Sequence, residues 1–289
     1  MIRNAAPVLT VLLAMVVLWY LAAVWMNSTW TLAQAERAGT TPGFSEIVRD
    51  TMAQKRPKLP APHQVATELW STTVEKKVTS KRSLVFHGWI TLRATLMGFA
   101  LGTFLGISLA IGIVYSRVME LSVMPWAVIS QTIPIVALAP MIIVLTSSIG
   151  IEDRNVPKAI ISAYLCFFPV LVGMVKGLRS PDAMQLDLLR TYGASGAAVF
   201  WKLRLPSSVP YLFTSLKIGI AAALVGTIVG ELPTGAIRGL GARILIGDQF
   251  GNPIMIWSAL FAAAILAGVL VTLIGAMQAL TLRRMGMAR

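Results

Sequence analysis

Charge is scarce in this sequence. Only 13% of its 289 residues are Asp, Glu, Lys or Arg, about half the share of a soluble domain, which excludes an ordinary water-soluble globule. Acidic residues are scarcer than basic ones, 12 against 25, for a net charge of +13. The lone cysteine, Cys166, excludes an intramolecular disulfide and a thiolate metal cluster. The two histidines, His63 and His87, lie in a polar stretch and read as interfacial or solvated rather than as ligands, so no metal site is expected. No G-x-x-x-x-G-K-[ST] run occurs, so the chain has no P-loop of its own. No paired carboxylates, histidine cluster or nucleophile motif lies in or near an apolar run, which argues against an enzyme. No basic face interleaved with aromatics stands out, which argues against nucleic acid as a partner. The positive charge is what the cytoplasmic loops of a membrane protein carry.

What the sequence does have is long apolar runs. Spanning hydrocarbon takes roughly 20 residues per helix, and six stretches qualify: Pro7–Met26, about Ile90–Tyr115, about Leu121–Leu145, about Pro157–Leu178, about Pro210–Gly230 and about Pro253–Leu282. The expected fold is therefore all-α, a polytopic membrane protein with about six transmembrane helices. The first run, bracketed by Arg3 and Asn27, is too long for a signal-peptide core and has no clean cleavage site after it, so it reads as an uncleaved anchor. Residues 1–26 form that anchor, 27–89 an extracytoplasmic segment, 90–282 the core with a cytoplasmic loop at about 179–209, and 283–289 a cytoplasmic tail.

Orientation follows from the basic residues. Lys176, Arg179, Arg190, Lys202 and Arg204 lie between the fourth and fifth runs, and Arg283, Arg284 and Arg289 follow the sixth. The positive-inside rule puts both groups, and with them both termini, in the cytoplasm. The nine Lys and Arg of Asn27–Trp89 run against this, but the rule weakens for loops near 60 residues. In that segment "GTTPGF" and "KRPKLPAP" read as turns and linker. A short helix at His63–Val74 would present Val65, Leu69 and Trp70 to a membrane surface.

Two runs carry internal features. Gly98, Gly102 and Gly106 recur every four residues, a small-residue face for helix packing. Pro125, Pro134 and Pro140 each remove a backbone donor. The third run should therefore be a broken helix, tolerated where protein or a water-filled cavity covers the freed carbonyls. Gln131, Pro134 and Pro140 are the candidates to line a pathway. A secondary transporter would also use a broken helix, but no internal repeat and no mid-span carboxylate supports one.

The segment "RSPDAMQLDLLRTYGASGAAVFWKLRLPSSVP" offers a helix start at Ser180 and Pro181, a stop at Gly193, and a second short helix ended by Pro206. Its outer positions read as small or polar, as a docking surface needs. The segment resembles the cytoplasmic loop of permeases in binding-protein-dependent ABC importers, whose pattern is E-A-A, three residues, Gly, nine residues, Ile-x-Leu-Pro. Asp187, Leu188 and Leu189 stand at the first three positions, Gly193 and then Ala194 at the corner, and Leu203, Arg204, Leu205 and Pro206 at the last four, without insertion. "SSVPYLFTSLKIGIAAALVGTIVGEL", "GLGARI" and "LPAPHQVATELW" are similar to stretches of the nitrate, sulfonate and taurine branch.

The resemblance implies the type I importer permease fold in a bacterial inner membrane. It implies a non-catalytic subunit whose loop, through Asp187, Leu188, Leu189, Gly193, Ala194, Leu203, Leu205 and Pro206, couples to a separate cytoplasmic ATPase. ATP would be bound by that partner, with no cofactor on this chain. A soluble binding protein and a second permease subunit, identical or sister, complete the expected partners. The implied solute is a small anion of the nitrate, sulfonate or taurine kind, or a pyrimidine or vitamin-precursor compound.

Overall fold

The computed structural model describes residues 5–233 and 237–287, so Arg3 and Arg289 lie outside the described residues. Every regular element among the described residues is helical. Helix α1 is Ala5–Ala38, α2 Phe44–Ala53, and α3 Pro62–Trp70 with a π-helical turn at Ser71–Glu75. Then come α4 Leu84–Tyr115, α5 Arg117–Ser130, α6 Ile135–Ser148 and α7 Asn155–Leu178. The last are α8 Ala183–Thr191, α9 Gly196–Val199 with a π turn at Phe200–Arg204, α10 Leu205–Glu231, α11 Leu240–Gln249 and α12 Pro253–Arg284. Among the described residues, five helical stretches are long and apolar enough to cross a membrane, and the α5–α6 pair makes a sixth if taken as one span. The chain forms two compact units, one up to His87 with Arg243–Ala263, the other Gly88–Ala242 with the residues from Ala264.

In the first unit α1 does not stop at Met26. Its 34 residues make a rod of about 51 Å against about 30 Å of hydrocarbon. The excess is polar and is held by residues 50–60. The Asn27 side chain donates to Leu59 O at 2.8 Å and accepts from Leu59 N–H at 3.1 Å. Thr31 donates to the Asp50 carboxylate at 2.6 Å, and Trp19 Nε1 to Pro60 O at 3.0 Å. The short helix of residues 62–75 does not offer the expected apolar face: Val65 is buried, while Trp70 is exposed. His87 is buried too, with Nε2 at 2.9 Å from Lys81 O, so it is not solvated as expected. Each neutral hydrogen bond contributes about 1 kcal/mol net. Asn27→Leu, losing two, is thus expected to cost about 2 kcal/mol locally and to open residues 54–60 to limited proteolysis.

The second unit is a bundle built on α7. Side chains are thin where its helices touch. A Cβ on Gly98 would fall 2.4 Å from Ser162 Cβ, on Gly102 2.8 Å from Ala163 O, and on Gly106 2.7 Å from Phe167 O. These contacts advance together along both chains, so α4 and α7 are parallel neighbours. Helix α10 runs antiparallel to α7: Gly177 meets Ser208, Gly219 meets Cys166 and Gly226 meets Ser162. Ser162 also donates to Ala223 O at 2.8 Å. In lipid, such close approach and interhelical hydrogen bonding drive association, because apolar surface alone has nothing to escape from. Ile113, Leu171, Met174, Leu178 and Cys166 fill the centre, the last fully buried.

Parallel α4 and α7 need a return crossing between them, and α5–α6 supplies it. The expected single third span is two helices set at 103°. Glu120, in the first turn of α5, pairs with Arg179 just past the end of α7 at 3.0 Å. Tyr164 donates to Ser130 O midway along, and Ile143 and Thr146 of α6 line one hollow with Pro157 at the start of α7. The pair therefore travels from one end of α7 to the other as a broken span. Of its three prolines only Pro134 sits at the break, as N-cap of α6; Pro125 and Pro140 lie within helices.

Candidate functional site

The polar loop after α7 is built from short-range signals. Ser180 does not cap the next helix, as expected of it; its hydroxyl donates back to Gly177 O at 2.7 Å and closes α7. Asp182 is the N-cap of α8, and its N–H donates to Gln185 Oε1 at 3.3 Å. At the other end Gly193 has φ +67°, left-handed and costly for a residue with a Cβ. Gly193 N–H donates to Arg190 O at 2.9 Å and Ala194 N–H to Leu189 O at 3.0 Å. That pair of bonds is a Schellman stop, which satisfies the last carbonyls of α8. Ser195 then caps α9, accepting from Ala198 N–H at 3.3 Å.

Pro206 does not end the second helix. Helix runs unbroken over Gly196–Glu231, through Pro206 and Pro210. A proline ring clashes with the carbonyl four residues back, here Lys202. The π turn at Phe200–Arg204 widens the backbone there, with Leu205 N–H donating to Phe200 O, and the ring is accommodated. Arg204 fixes the base of the loop, donating to Leu178 O at 3.1 Å and lying 5.7 Å from the Tyr115 ring centroid. Phe200 packs on the same Tyr115 ring.

None of α8 is buried. Asp187 pairs with Arg190 at 3.1 Å on the exposed surface, Leu188 is exposed, and Leu189, Ala194, Leu203, Leu205 and Pro206 are half-buried. The outer positions are not uniformly small or polar: Met184 and Leu188 of α8 and Tyr192 at its C-cap, spaced four apart, are 83%, 55% and 79% exposed, and Trp201 is exposed too. Sequence reasoning passed over Met184 and Tyr192; the four-residue spacing was the signal. Gln131, Pro134 and Pro140 are all exposed.

A second cluster sits at the opposite end of α7 and α10, and the sequence reading missed it. Lys158 and Glu231 are 3% and 0% exposed and lie 3.5 Å apart. The Glu231 carboxylate accepts from Thr91 at 3.0 Å and from Gly241 N–H at 2.7 Å. Thr91 Oγ1 in turn accepts from Leu240 N–H at 2.9 Å. Each charge is misplaced on its own helix, a cation in the first turn of α7 and an anion in the last of α10, against the macrodipoles. Antiparallel packing puts each beside the helix end that suits it. Two membrane helices each ending on the wrong charge was the readable signal. Removing one partner of such a pair costs about 3–5 kcal/mol.

Residues 102–287 match the binding-protein-dependent transport system inner membrane component family. The chain belongs to this family. A formylaminopyrimidine transport permease protein of Halalkalibacterium halodurans is 36% identical over 198 residues, covering 68% of this chain and 73% of that protein. A riboflavin transport system permease protein of Chloroflexus aurantiacus is 31% identical over 225 residues, 78% and 80% of the two chains. A nitrate import permease protein of Leptolyngbya laminosa is 25% identical over 195 residues, 66% and 67%.

The protein is thus an ABC importer permease subunit for small solutes, an all-α membrane protein, and the resemblance read from the loop holds. The matched region takes in the broken span, the loop and both members of the buried ion pair, while residues 27–89 precede it. Among the described residues, no group of three or more His, Cys, Asp or Glu is placed to hold a metal.

Proposed function

We propose that a separate cytoplasmic ATPase seats on α8 and drives, through the loop, import of a small solute delivered by an extracytoplasmic binding protein. The observation that carries this is the loop itself. A rigid, glycine-cornered elbow joins two packed membrane helices and leaves an apolar stripe, Met184, Leu188 and Tyr192, open. Six crossings, counting α5–α6 as one, return the chain to the side on which it began. The basic residues around the loop and in the last turn of α12 favour the cytoplasm for that side. Exposed Gln131, Pro134 and Pro140 line the pathway in this reading, facing a second permease subunit.

For the solute, the pyrimidine- and riboflavin-transport relatives are more similar than the nitrate one, 36% and 31% against 25%. This favours a nitrogen heterocycle over an inorganic anion. The test is reconstitution of the purified complex in proteoliposomes with its binding protein. Co-purification of an ATPase, and uptake that needs ATP and ignores proton uncouplers, are expected. Uptake that proceeds without ATP and collapses with an uncoupler would make the chain a secondary transporter instead.

A further inference from the structure

We propose that Glu231 is a positioning residue that carries motion from the coupling loop to the turn at residues 239–241, at the far end of the bundle. The inference rests on the coupling role given above to the loop around Gly193. Helices α7 and α10 are joined at one end by that loop. They touch backbone to backbone near it, where Gly177 meets Ser208, and near the other end, where Gly226 meets Ser162. Arg204 ties their loop ends together through Leu178 O. Over the 24 residues of α7, about 36 Å, the two helices have no room to slide or hinge separately. A displacement of the loop therefore arrives whole at the Lys158–Glu231 end.

What receives it there is the turn. Holding α7 to α10 does not need an ion pair, since a well-packed apolar pair does the same. The carboxylate that faces Lys158 also reaches beyond it. One oxygen takes Gly241 N–H at 2.7 Å, and Thr91 relays the carboxylate to Leu240 N–H through bonds of 3.0 and 2.9 Å. Gly239, at φ +128°, presses on the carboxylate so closely that a Cβ would sit 2.2 Å from Oε1. A Cβ on Gly241 would stand 2.8 Å from Glu231 Cβ. The turn is thus bonded to the end of α10 and packed against it, and it opens α11 directly. Lys158 pairs with the carboxylate and holds it in place; Glu231 is the part that reaches the turn.

The test separates the tie from the charge. Lys158→Met/Glu231→Gln removes both charges and keeps an oxygen for Gly241 N–H. Lys158→Met/Glu231→Leu removes the charges and the acceptor. In proteoliposomes at equal permease abundance, the first is expected to import like the parent. The second is expected to hydrolyse ATP in response to the loaded binding protein while import per ATP falls at least about tenfold, within the usual range of a coupling loss. Parental import by the Leu variant, or equal loss in both, overturns the inference. Should the Leu variant fail to insert, Thr91→Val takes its place: it is isosteric and uncharged and cuts the relay to Leu240. A several-fold fall in import per ATP is expected, and parental coupling overturns the proposal. Gly193→Leu runs in parallel. Normal import by that variant overturns the loop reading beneath; loss there with normal import by the Glu231→Leu double variant overturns this inference alone.

Discussion

Gly106→Val is expected to prevent stable assembly of the bundle. The first added carbon would stand 2.7 Å from Phe167 O and 3.0 Å from Leu171 N, both main-chain atoms of α7 that no rotamer change can move. The helices must part, and parting breaks the contacts above and below as well, because Gly98 and Gly102 seat on the same neighbour. Overpacking a core costs about 1–3 kcal/mol when side chains can give way; here they cannot, and the upper end or beyond applies. Detergent-solubilised protein should lose its monodisperse peak in size-exclusion chromatography, with membrane abundance falling several-fold. Gly88→Ala, on the same helix with nothing within 4 Å of the new carbon, is the control and should be neutral or stabilising by up to about 1 kcal/mol. A Gly106→Val protein that elutes and melts like the parent would mean that the α4–α7 seam is not in backbone contact.

Gly193→Leu should have the reverse profile. Nothing lies within 4 Å of a Cβ at this position, so the first added carbon meets no part of its own chain. The penalty is the left-handed backbone alone, about 1–2 kcal/mol. It falls on an exposed elbow rather than on the membrane core. The protein should insert and melt close to the parent, yet import should fall more than about tenfold, as expected when a coupling term of 1–3 kcal/mol is lost. Gly193→Asn discriminates the cause. Asparagine tolerates the left-handed region, so it should retain most import if the corner's shape is what the ATPase needs. Import at the parental rate by Gly193→Leu, at matched abundance, would remove the loop from the mechanism.

The sequence made the membrane class and the loop legible because both rest on local order. Apolar length marks a span wherever it occurs, and a glycine between two amphipathic turns marks a corner. It misled where a residue's effect depends on its neighbours in space. Pro206 reads as a stop, but one wide turn upstream absorbs it. Three prolines in the third run read as a broken helix without saying which one breaks it; Pro134 stands at the break, while Pro125 and Pro140 lie within helices. The end of α1 was invisible beyond Asn27 because its polar end carries no apolar run, and its contacts, to Leu59 and Asp50, are with residues distant in sequence. The Lys158–Glu231 pair joins residues 73 apart in sequence; each alone reads as an ordinary charge at a membrane boundary.

One consequence of the packed centre is practical. Cys166 is the chain's sole cysteine, and Gly102 and Gly219 close over it from two sides. A thiol sealed in that way is inert towards aqueous reagents. The native chain is therefore already a silent background for site-specific probes. A single cysteine placed at Met184 or Tyr192 should accept a fluorophore or spin label alone, and the working cycle can be watched in an otherwise unaltered molecule.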